Sequence, residues 1–155
     1  MIPAKKFWTT TLRDTAEGEA ITRIMESAMA AVDPGEVVRR SVVIKGNRLV
    51  IADRTYDLKT FKRVRLLAFG KASTGMAGAM IELLGKHLDE GLVISKHVNP
   101  EEETIEKVSV LEGGHPIPDK RSLAAGQKVI EFVSASKPND LLICLISGGA
   151  SALVT

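Results

Sequence analysis

The sequence predicts an α/β fold, with a doubly wound, mostly parallel, Rossmann-like sheet that carries helices on both faces. From residue 64 onward, short apolar runs alternate with amphipathic segments of helical length, an order that builds right-handed strand–helix–strand units. The six consecutive apolar residues Leu141–Ile146 are typical of a strand buried on both faces. We interpret residues 1–60 as a helix plus hairpin lead-in and residues 61–155 as the strand–helix core.

An amphipathic helix and a hairpin come first. Apolar residues recur at helical spacing between Thr11 and Val32, which predicts an amphipathic helix, and Asp33-Pro34-Gly35 ends it. Next, Ser41–Lys45 and Arg48–Ile51 flank Gly46-Asn47, which is a two-residue hairpin signal. We expect the hairpin at a sheet edge or outside the main layer.

The core is predicted to alternate strands with helices. The strands are expected at Val64–Phe69, Gly91–Ser95, Lys107–Leu111 and Leu141–Ile146. A helix from about Ser73 to His87 is expected to pack through Met76, Met80, Leu83 and Leu84, and a helix from about Lys120 to Ala135 through Leu123, Ala124, Val129, Ile130 and Val133. The acidic run Glu101–Glu103 predicts a solvated loop.

Three loops follow predicted strands, and each carries glycine or polar residues: Gly70-Lys71, Gly113–Asp119 and Ser147–Ser151. In open parallel sheets, ligands bind beyond the carboxyl ends of the strands. We therefore expect the three loops to meet at one rim of the sheet, where an ammonium group and backbone amides converge on a negatively charged ligand.

Two interpretations of the last loop remain open. The pair Gly148-Gly149 lets backbone N–H groups approach a phosphate or carboxylate, and a helix opening at Ser151 would turn its positive end to the same point. The alternative is a tight strand-to-helix turn without a ligand. Lys71 likewise is either an ordinary lysine near a helix start or a cation that neutralises charge on a transferring phosphoryl group.

The loop before the second core helix offers one candidate side chain. His115, between Gly114 and Pro116, either binds substrate, acts as a base or orients the loop. Asp119 is most simply the N-cap of the following helix. His87 and His97 lack partners at metal-ligand spacing, so the sequence predicts no metal site.

Composition excludes several classes of function. Twenty-one basic residues against 19 acidic ones, with only 4% aromatic residues, argue against a nucleic-acid surface. The single cysteine, Cys144, excludes an internal disulfide, and we expect its thiol to be hidden in the apolar strand. No apolar run approaches the roughly 18 residues of a membrane span, and Met1–Trp8 lacks the features of a signal peptide, so a cytoplasmic location is expected.

Three segments together resemble a known family. Phe69-Gly70-Lys71-Ala72, then Gly113-Gly114-His115-Pro116-Ile117-Pro118-Asp119, then Leu145-Ile146-Ser147-Gly148-Gly149-Ala150-Ser151 resemble the MOFRL-associated N-terminal domain of the glycerate 2-kinases, formerly often labelled hydroxypyruvate reductases. The resemblance spans about Glu17 to Thr155.

This resemblance implies an enzyme that uses ATP and Mg²⁺ to phosphorylate D-glycerate to 2-phosphoglycerate in a cleft between two domains. It implies a catalytic role for Lys71, which matches the family's active-site lysine. Ser147, Gly148, Gly149 and Ser151 match its glycine-rich loop, where nucleotide phosphate or substrate is expected, and His115 is a further candidate binding residue. Ala150 stands where the family commonly has a third glycine, which is tolerable if its φ is negative.

The family's length is well over twice that of this chain, and its second domain supplies an arginine and acidic, metal-binding groups. We therefore expect an incomplete chain that is inactive alone, whose sheet is covered by a missing C-terminal domain or a partner chain, with a homodimer as a further possibility. Burial of each Leu- or Val-sized side chain contributes about 1.5–3 kcal/mol, so a bare sheet face would leave the domain marginally stable.

Two other functions remain open. One is a non-catalytic module that binds sugar phosphates or nucleotides through the same loops. The other is a nicotinamide-dependent hydroxypyruvate reductase, as the older label suggests. The sequence counts against the reductase, because no Gly-x-Gly-x-x-Gly follows a strand and no acidic residue lies about 20 positions later to hold a ribose.

Overall fold

A computed structural model describes residues 3–98, 104–105 and 107–155 of the chain. Short 3-10 turns lie at Ala4–Phe7, Leu58–Thr60 and Gly85–His87. The helices are α1 (Thr10–Arg13), α2 (Gly18–Ala31), α3 (Pro34–Ser41), α4 (Ser73–Leu84), α5 (Lys120–Ser134) and α6 (Ala150–Leu153). The strands are β1 (Val42–Lys45), β2 (Arg48–Ile51), β3 (Arg54–Asp57), β4 (Arg63–Phe69), β5 (Glu90–Ser95), β6 (Thr104–Ile105), β7 (Val108–Glu112) and β8 (Asp140–Ile146).

The main sheet has five strands in the order β6-β7-β5-β4-β8. The pairs β7–β5, β5–β4 and β4–β8 are parallel, and the two-residue β6 is antiparallel to β7. The chain thus starts the parallel sheet at β4, extends it on one side through β5 and β7, and then returns to add β8 on the other side of β4. This strand order confirms the predicted α/β fold and places a topological switch point between β4 and β8.

Helices cover both faces of the sheet. On one face α4 packs with α3 and the small sheet around a core that includes Leu66, Ala68, Val93, Met80 and Leu84. On the other face α5 and α6 cover a smaller core of Leu67, Leu92, Ile94, Ala125 and Leu153. The inward face predicted for α4 is confirmed, since Met80 and Leu84 are buried and Met76 and Leu83 pack against the same cluster.

The predicted hairpin is confirmed as β1 and β2, joined through Gly46 at φ +60°. It lies outside the main sheet, as expected, but it pairs with a third strand, β3, that the sequence did not predict. Polar and charged residues dominate β3, and it is exposed on most of its length. Its sequence therefore lacks the apolar alternation that marks a half-buried strand.

The single helix predicted between Thr11 and Val32 is wrong in one respect. The structure divides it into α1 and α2, because Gly18 packs so closely on the Leu12 carbonyl that a side chain there would overlap it. Asp33 does end α2, but it also caps α3, with its carboxylate accepting from the Glu36 N–H. The apolar face of α2 and its C-cap is exposed at Ile21, Ile24, Met25, Met29 and Val32.

Two further expectations about burial are wrong. Helix α5 buries Ala125 and Gly126, while Leu123, Ala124, Ile130 and Val133 are exposed. Strand β8 is an edge strand rather than an interior one, so only Ile143 is buried and Ile146 is 59% exposed. The thiol of Cys144, expected to be hidden, is exposed, although partial desolvation still raises its pKa.

Two sequence-based expectations reach beyond these elements. The acidic run at 101–103, expected to be a solvated loop, lies outside the described residues. Among the helices of the described ranges, none is both long enough and apolar enough to cross a bilayer.

Candidate functional site

The candidate site lies at the topological switch point, where the chain leaves β4 and β8 at the same edge of the sheet. Phe69 and Ile146, the last residues of the two strands, are register partners. Two residues beyond them stand Lys71 on one loop and Gly148 on the other. In doubly wound sheets this crevice is the ordinary place for a ligand, because the loops diverge here to opposite faces.

Backbone hydrogen bonds join the two loops directly. The Ser147 N–H donates to the Phe69 carbonyl at 3.1 Å, and the Lys71 N–H donates to the Gly148 carbonyl at 2.9 Å. The Lys71 side chain then runs along the glycine loop, with its Cε 4.0 Å from the position that a Gly148 side chain would take. The lysine and the glycine loop thus form one corner, as the sequence predicted.

The third predicted loop reaches the same corner through His115. A side chain at Gly149 would begin 3.0 Å from both His115 Nε2 and Lys71 Cγ, so the imidazole and the lysine stem both lie against this glycine. Gly149 has φ +84°, a conformation that L-residues with side chains rarely adopt. The structure therefore brings Lys71, His115 and the glycine loop together and gives Gly149 two independent reasons to be glycine.

The glycine loop presents unused donors. Within the described part of the chain, the N–H groups of Gly148, Gly149, Ala150 and Ser151 donate to no backbone or side-chain acceptor. Gly148 and Ser151 are exposed. Ala150 has a negative φ, which was the condition for alanine to replace a third glycine. Consecutive free N–H groups in a loop form a concavity suited to anions.

The charge at this corner is positive. Lys71 is exposed and forms no ion pair with a described carboxylate. The nearest acidic groups on the His115 loop are already neutralised, because Arg121 binds both Asp119 and Glu112. A hydrogen bond from Arg121, with help from backbone N–H groups, holds the pKa of Asp119 below its usual range. Among the described residues, the corner thus presents an unpaired ammonium group and free amides, while the carboxylates of Asp119 and Glu112 are paired with Arg121.

Support for the His115 loop comes from residues that sequence analysis missed or placed only in part. Asp119 is the N-cap of α5, as predicted. The buried Ser122 completes a capping box and its Oγ also accepts from the Gly114 N–H at 2.9 Å. Gly113 packs on the Leu153 carbonyl of α6 with no room for a side chain. The capping pair Asp119-x-x-Ser122 was the sequence signal for this support.

The donor set suits phosphate better than a metal. Ammonium, imidazole and amide N–H groups are partners for phosphate oxygens, whereas Mg²⁺ binds carboxylate and carbonyl oxygens. Across residues 3–98, 104–105 and 107–155, no group of three or more His, Cys, Asp or Glu side chains is placed to hold a metal ion. The described residues therefore fit the phosphates of ATP but do not by themselves fit the Mg²⁺ that the resemblance implies.

A family model described as "Domain of unknown function (DUF4147)" matches residues 20–155. The chain belongs to this family. It is 30% identical over 131 residues to a glycerate 2-kinase of Pyrococcus horikoshii, covering 84% of this chain and 28% of the relative. It is 35% identical over 153 residues to the glycerate kinase of Rattus norvegicus, covering 90% of this chain and 29% of that protein. The predicted resemblance to glycerate 2-kinases is confirmed.

Solved structures agree with the assignment to the DUF4147 family. A crystal structure of a Pyrococcus horikoshii protein superposes with a TM-score of 0.73 at 29% identity, covering 85% of this chain and 29% of the other. The crystal structure of a glycerate kinase from Thermotoga maritima gives a TM-score of 0.65 at 32% identity, covering 85% and 28%. The chain thus spans less than a third of the length of these relatives.

Proposed function

We propose that this chain is the N-terminal part of a kinase that transfers the terminal phosphoryl group of ATP to D-glycerate, giving 2-phosphoglycerate. The observation that carries the proposal is the convergence of Lys71, His115 and free loop amides at the β4–β8 switch point. The names of the relatives, glycerate 2-kinase and glycerate kinase, supply the reaction class.

The corner is suited to phosphoryl transfer because that reaction needs mainly positioning and charge stabilisation. In the proposed step the 2-hydroxyl oxygen of glycerate attacks the γ-phosphorus, the bond to the β–γ bridging oxygen breaks, and ADP leaves with that electron pair. The hydroxyl proton leaves for a base or solvent. Lys71 neutralises charge on the moving group, while the amides of Gly148, Gly149 and Ser151 hold phosphate oxygens. We assign His115 to binding, since its Nε2 faces the same loop.

The test uses the full-length polypeptide that carries this chain, incubated with ATP, Mg²⁺ and D-glycerate. We expect ³¹P NMR to show 2-phosphoglycerate and ADP. Lys71→Ala should reduce kcat/KM at least about 100-fold while leaving the melting temperature nearly unchanged, because Lys71 is exposed and its side chain forms no ion pair among the described residues.

Other results would identify another function. ATP binding without any phosphorylated product would favour a nucleotide-binding module. Oxidation of NADH with hydroxypyruvate, and no ATP-dependent product, would favour the reductase. Either result would refute the kinase proposal.

We also propose that a further segment of a longer polypeptide covers the outer side of β8. Relatives more than three times as long as the matched region support this, as do the exposed side chains of Cys144 and Ile146 on an apolar edge strand. An apolar groove of about 400 Å³ runs between β8, α3 and the small sheet. Natural sheets rarely leave a long apolar edge strand unpaired.

Cys144 reports on this cover, because its thiol is exposed on β8 and its labelled peptide can be identified by mass spectrometry. A maleimide should label it readily in the 155-residue chain and at least about tenfold more slowly in the full-length polypeptide. Equal labelling rates in the two proteins would contradict the proposal.

A further inference from the structure

The side chain of Ser147 lies inside the joint between the two loops of the candidate site. Its Oγ accepts a hydrogen bond from the Ala72 N–H at 3.0 Å. Its backbone N–H already binds the Phe69 carbonyl, so this one residue contacts the β4 loop both before and after Gly70. Sequence matching alone placed Ser147 with the ligand-binding residues, but its acceptor is directed at the protein.

Gly70 has a shape that fits this contact. Its φ of +121° is rarely adopted by residues with side chains, and a side chain there would begin 2.2 Å from Ser147 Oγ. The serine therefore occupies the space that a residue other than glycine would fill. Gly70 and Ser147 form an interlock, by which we mean the packing of Ser147 Oγ over the Gly70 backbone together with its bond to Ala72.

The interlock fixes the backbone on both sides of Lys71. The Lys71 N–H binds the Gly148 carbonyl, the Ala72 N–H binds Ser147 Oγ, and the Ser73 N–H binds the Gly70 carbonyl. Three successive amides at the start of α4 are thus taken up inside the protein and are closed to a ligand. What they determine instead is the direction in which the Lys71 side chain leaves the backbone.

We propose that Ser147 is a positioning residue, which holds Lys71 over the glycine loop through the Ala72 amide rather than binding ligand itself. The inference rests on the proposed function, because positioning has a catalytic effect only if Lys71 contacts the reacting phosphate. A displacement of about 1 Å in such a group can reduce the rate about 100-fold.

The experiment compares wild type, Ser147→Ala, Ser147→Thr and Ser151→Ala in the full-length polypeptide. Ser151 is the control for exchange at Ala72, because it is exposed just after the same glycines and its hydroxyl forms no hydrogen bond with another described residue. Hydrogen exchange at the Ala72 amide, followed by NMR, measures the interlock. Steady-state kinetics with ATP and D-glycerate measure its effect on the reaction.

In Ser147→Ala we expect exchange at Ala72 to accelerate at least about tenfold and kcat to fall about 10- to 100-fold, with both KM values within about twofold of wild type. Ser147→Thr, which keeps an Oγ, should restore the protection of Ala72 and most of kcat. Ser151→Ala should leave exchange at Ala72 unchanged.

Two results would overturn the inference. A raised KM with the protection of Ala72 intact would make Ser147 a direct ligand contact. Loss of that protection without any change in kcat would show that the interlock does not position Lys71 for the reaction. If the wild-type protein phosphorylates no glycerate, the proposed function fails, and a protected Ala72 amide in Ser147→Ala would still refute the interlock on its own.

Discussion

The basic side chains at the two ends of the parallel sheet differ in whether they form ion pairs. At the amino end, Arg63 and Arg65 are both neutralised by acidic side chains of neighbouring strands. At the carboxyl end, Lys71 has no such partner among the described residues and faces loop amides instead. The first arrangement is complete within the protein, whereas no described carboxylate completes the second.

At the amino end, Arg65 is an example of a buried cation that is fully paired. Arg65 is only 1% exposed; its guanidinium binds Glu90 at 2.5 Å, the Phe132 carbonyl and Ser136, and it stacks 3.9 Å over the Phe132 ring. A cleft of about 690 Å³ opens beside it, between α5 and the strands. That cleft is larger than the groove beside β8, yet its buried cation is already satisfied.

We infer from this comparison that the pairing of a cation, rather than the size of the nearest cleft, is the better indication of a binding site for an anion. A buried cation must be paired or it destabilises the fold, so its partners are built in. An exposed lysine such as Lys71 is hydrated and therefore needs no paired carboxylate for the fold to be stable. Stability should therefore depend on the amino end and ligand binding on the carboxyl end.

The largest effect on stability is expected at Arg65. Arg65→Ala removes one partner of a buried ionic cluster and should lower the free energy of unfolding by about 3–5 kcal/mol, measured by urea denaturation. Arg39→Ala is the control, since Arg39 also forms ion pairs, with Glu36 and Glu82, but on the surface. A similar loss in both variants would show that burial does not distinguish the two.

A smaller loss is expected at Ser122, which supports the His115 loop. Ser122→Ala leaves the buried Gly114 amide without its acceptor and should cost about 1–3 kcal/mol in the free energy of unfolding. Because the loop carries His115, ATP affinity measured by calorimetry should also fall. Unchanged stability would mean that the capping box is not needed to hold the loop.

Substitutions at the two glycines of the loop should distinguish backbone strain from obstruction of a bound ligand. Gly149→Ala forces a side chain into φ +84°, against Lys71 and His115, and should destabilise by roughly 1–2 kcal/mol. Gly148→Ala meets only Lys71 Cε at 4.0 Å and has no positive φ, so the melting temperature should stay unchanged. If phosphate approaches this backbone closely, Gly148→Ala should still weaken ATP binding at least about tenfold. Equal affinity in Gly148→Ala and wild type would place the ligand elsewhere.

The smallest effect is a pH dependence at the amino end. The hydrogen bond from Arg63, followed by the Lys137 N–H, holds the pKa of Asp140 below its usual value of 3.8. A carboxyl whose pKa is lower when folded stabilises the protein above the unfolded pKa and loses that contribution as pH falls through the folded one. The urea concentration at the unfolding midpoint should thus decrease as the pH is lowered below about 4. In Asp140→Asn this decrease should be less steep. The same dependence of the midpoint on pH in wild type and Asp140→Asn would contradict this prediction. Asp119→Asn provides the corresponding measurement at the carboxyl end of the sheet, where the pKa of Asp119 is also lowered.

Most of the fold followed from sequence because its signals are local. Apolar runs located the parallel strands to within a residue or two, and Gly46-Asn47 located the hairpin. Two features depend on neighbours that the sequence does not name. The apolar run of β8 looks the same whether one or two strands flank it, and the apolar face of α2 does not reveal that it stays exposed.

The candidate site followed from sequence only at the level of loops. The rule for parallel sheets brought Lys71, His115 and the glycine loop to one rim. It could not distinguish the serine whose hydroxyl contacts the protein from the glycines whose amides are free, because that distinction rests on the direction of single donor and acceptor groups. Nor could it show the bond from the Gly114 amide to Ser122, because the spacing of Asp119 and Ser122 indicates only a cap for α5.

The interlock also has a consequence for how the molecule assembles. Ser147 and Ala72 are 75 positions apart along the chain, so Lys71 acquires its surroundings only after β8 has docked beside β4. Contacts between such distant segments form late, because a long loop must close first. A chain emerging from the ribosome would therefore contain the other described strands of the main sheet before β8 could bring the glycine loop to Lys71.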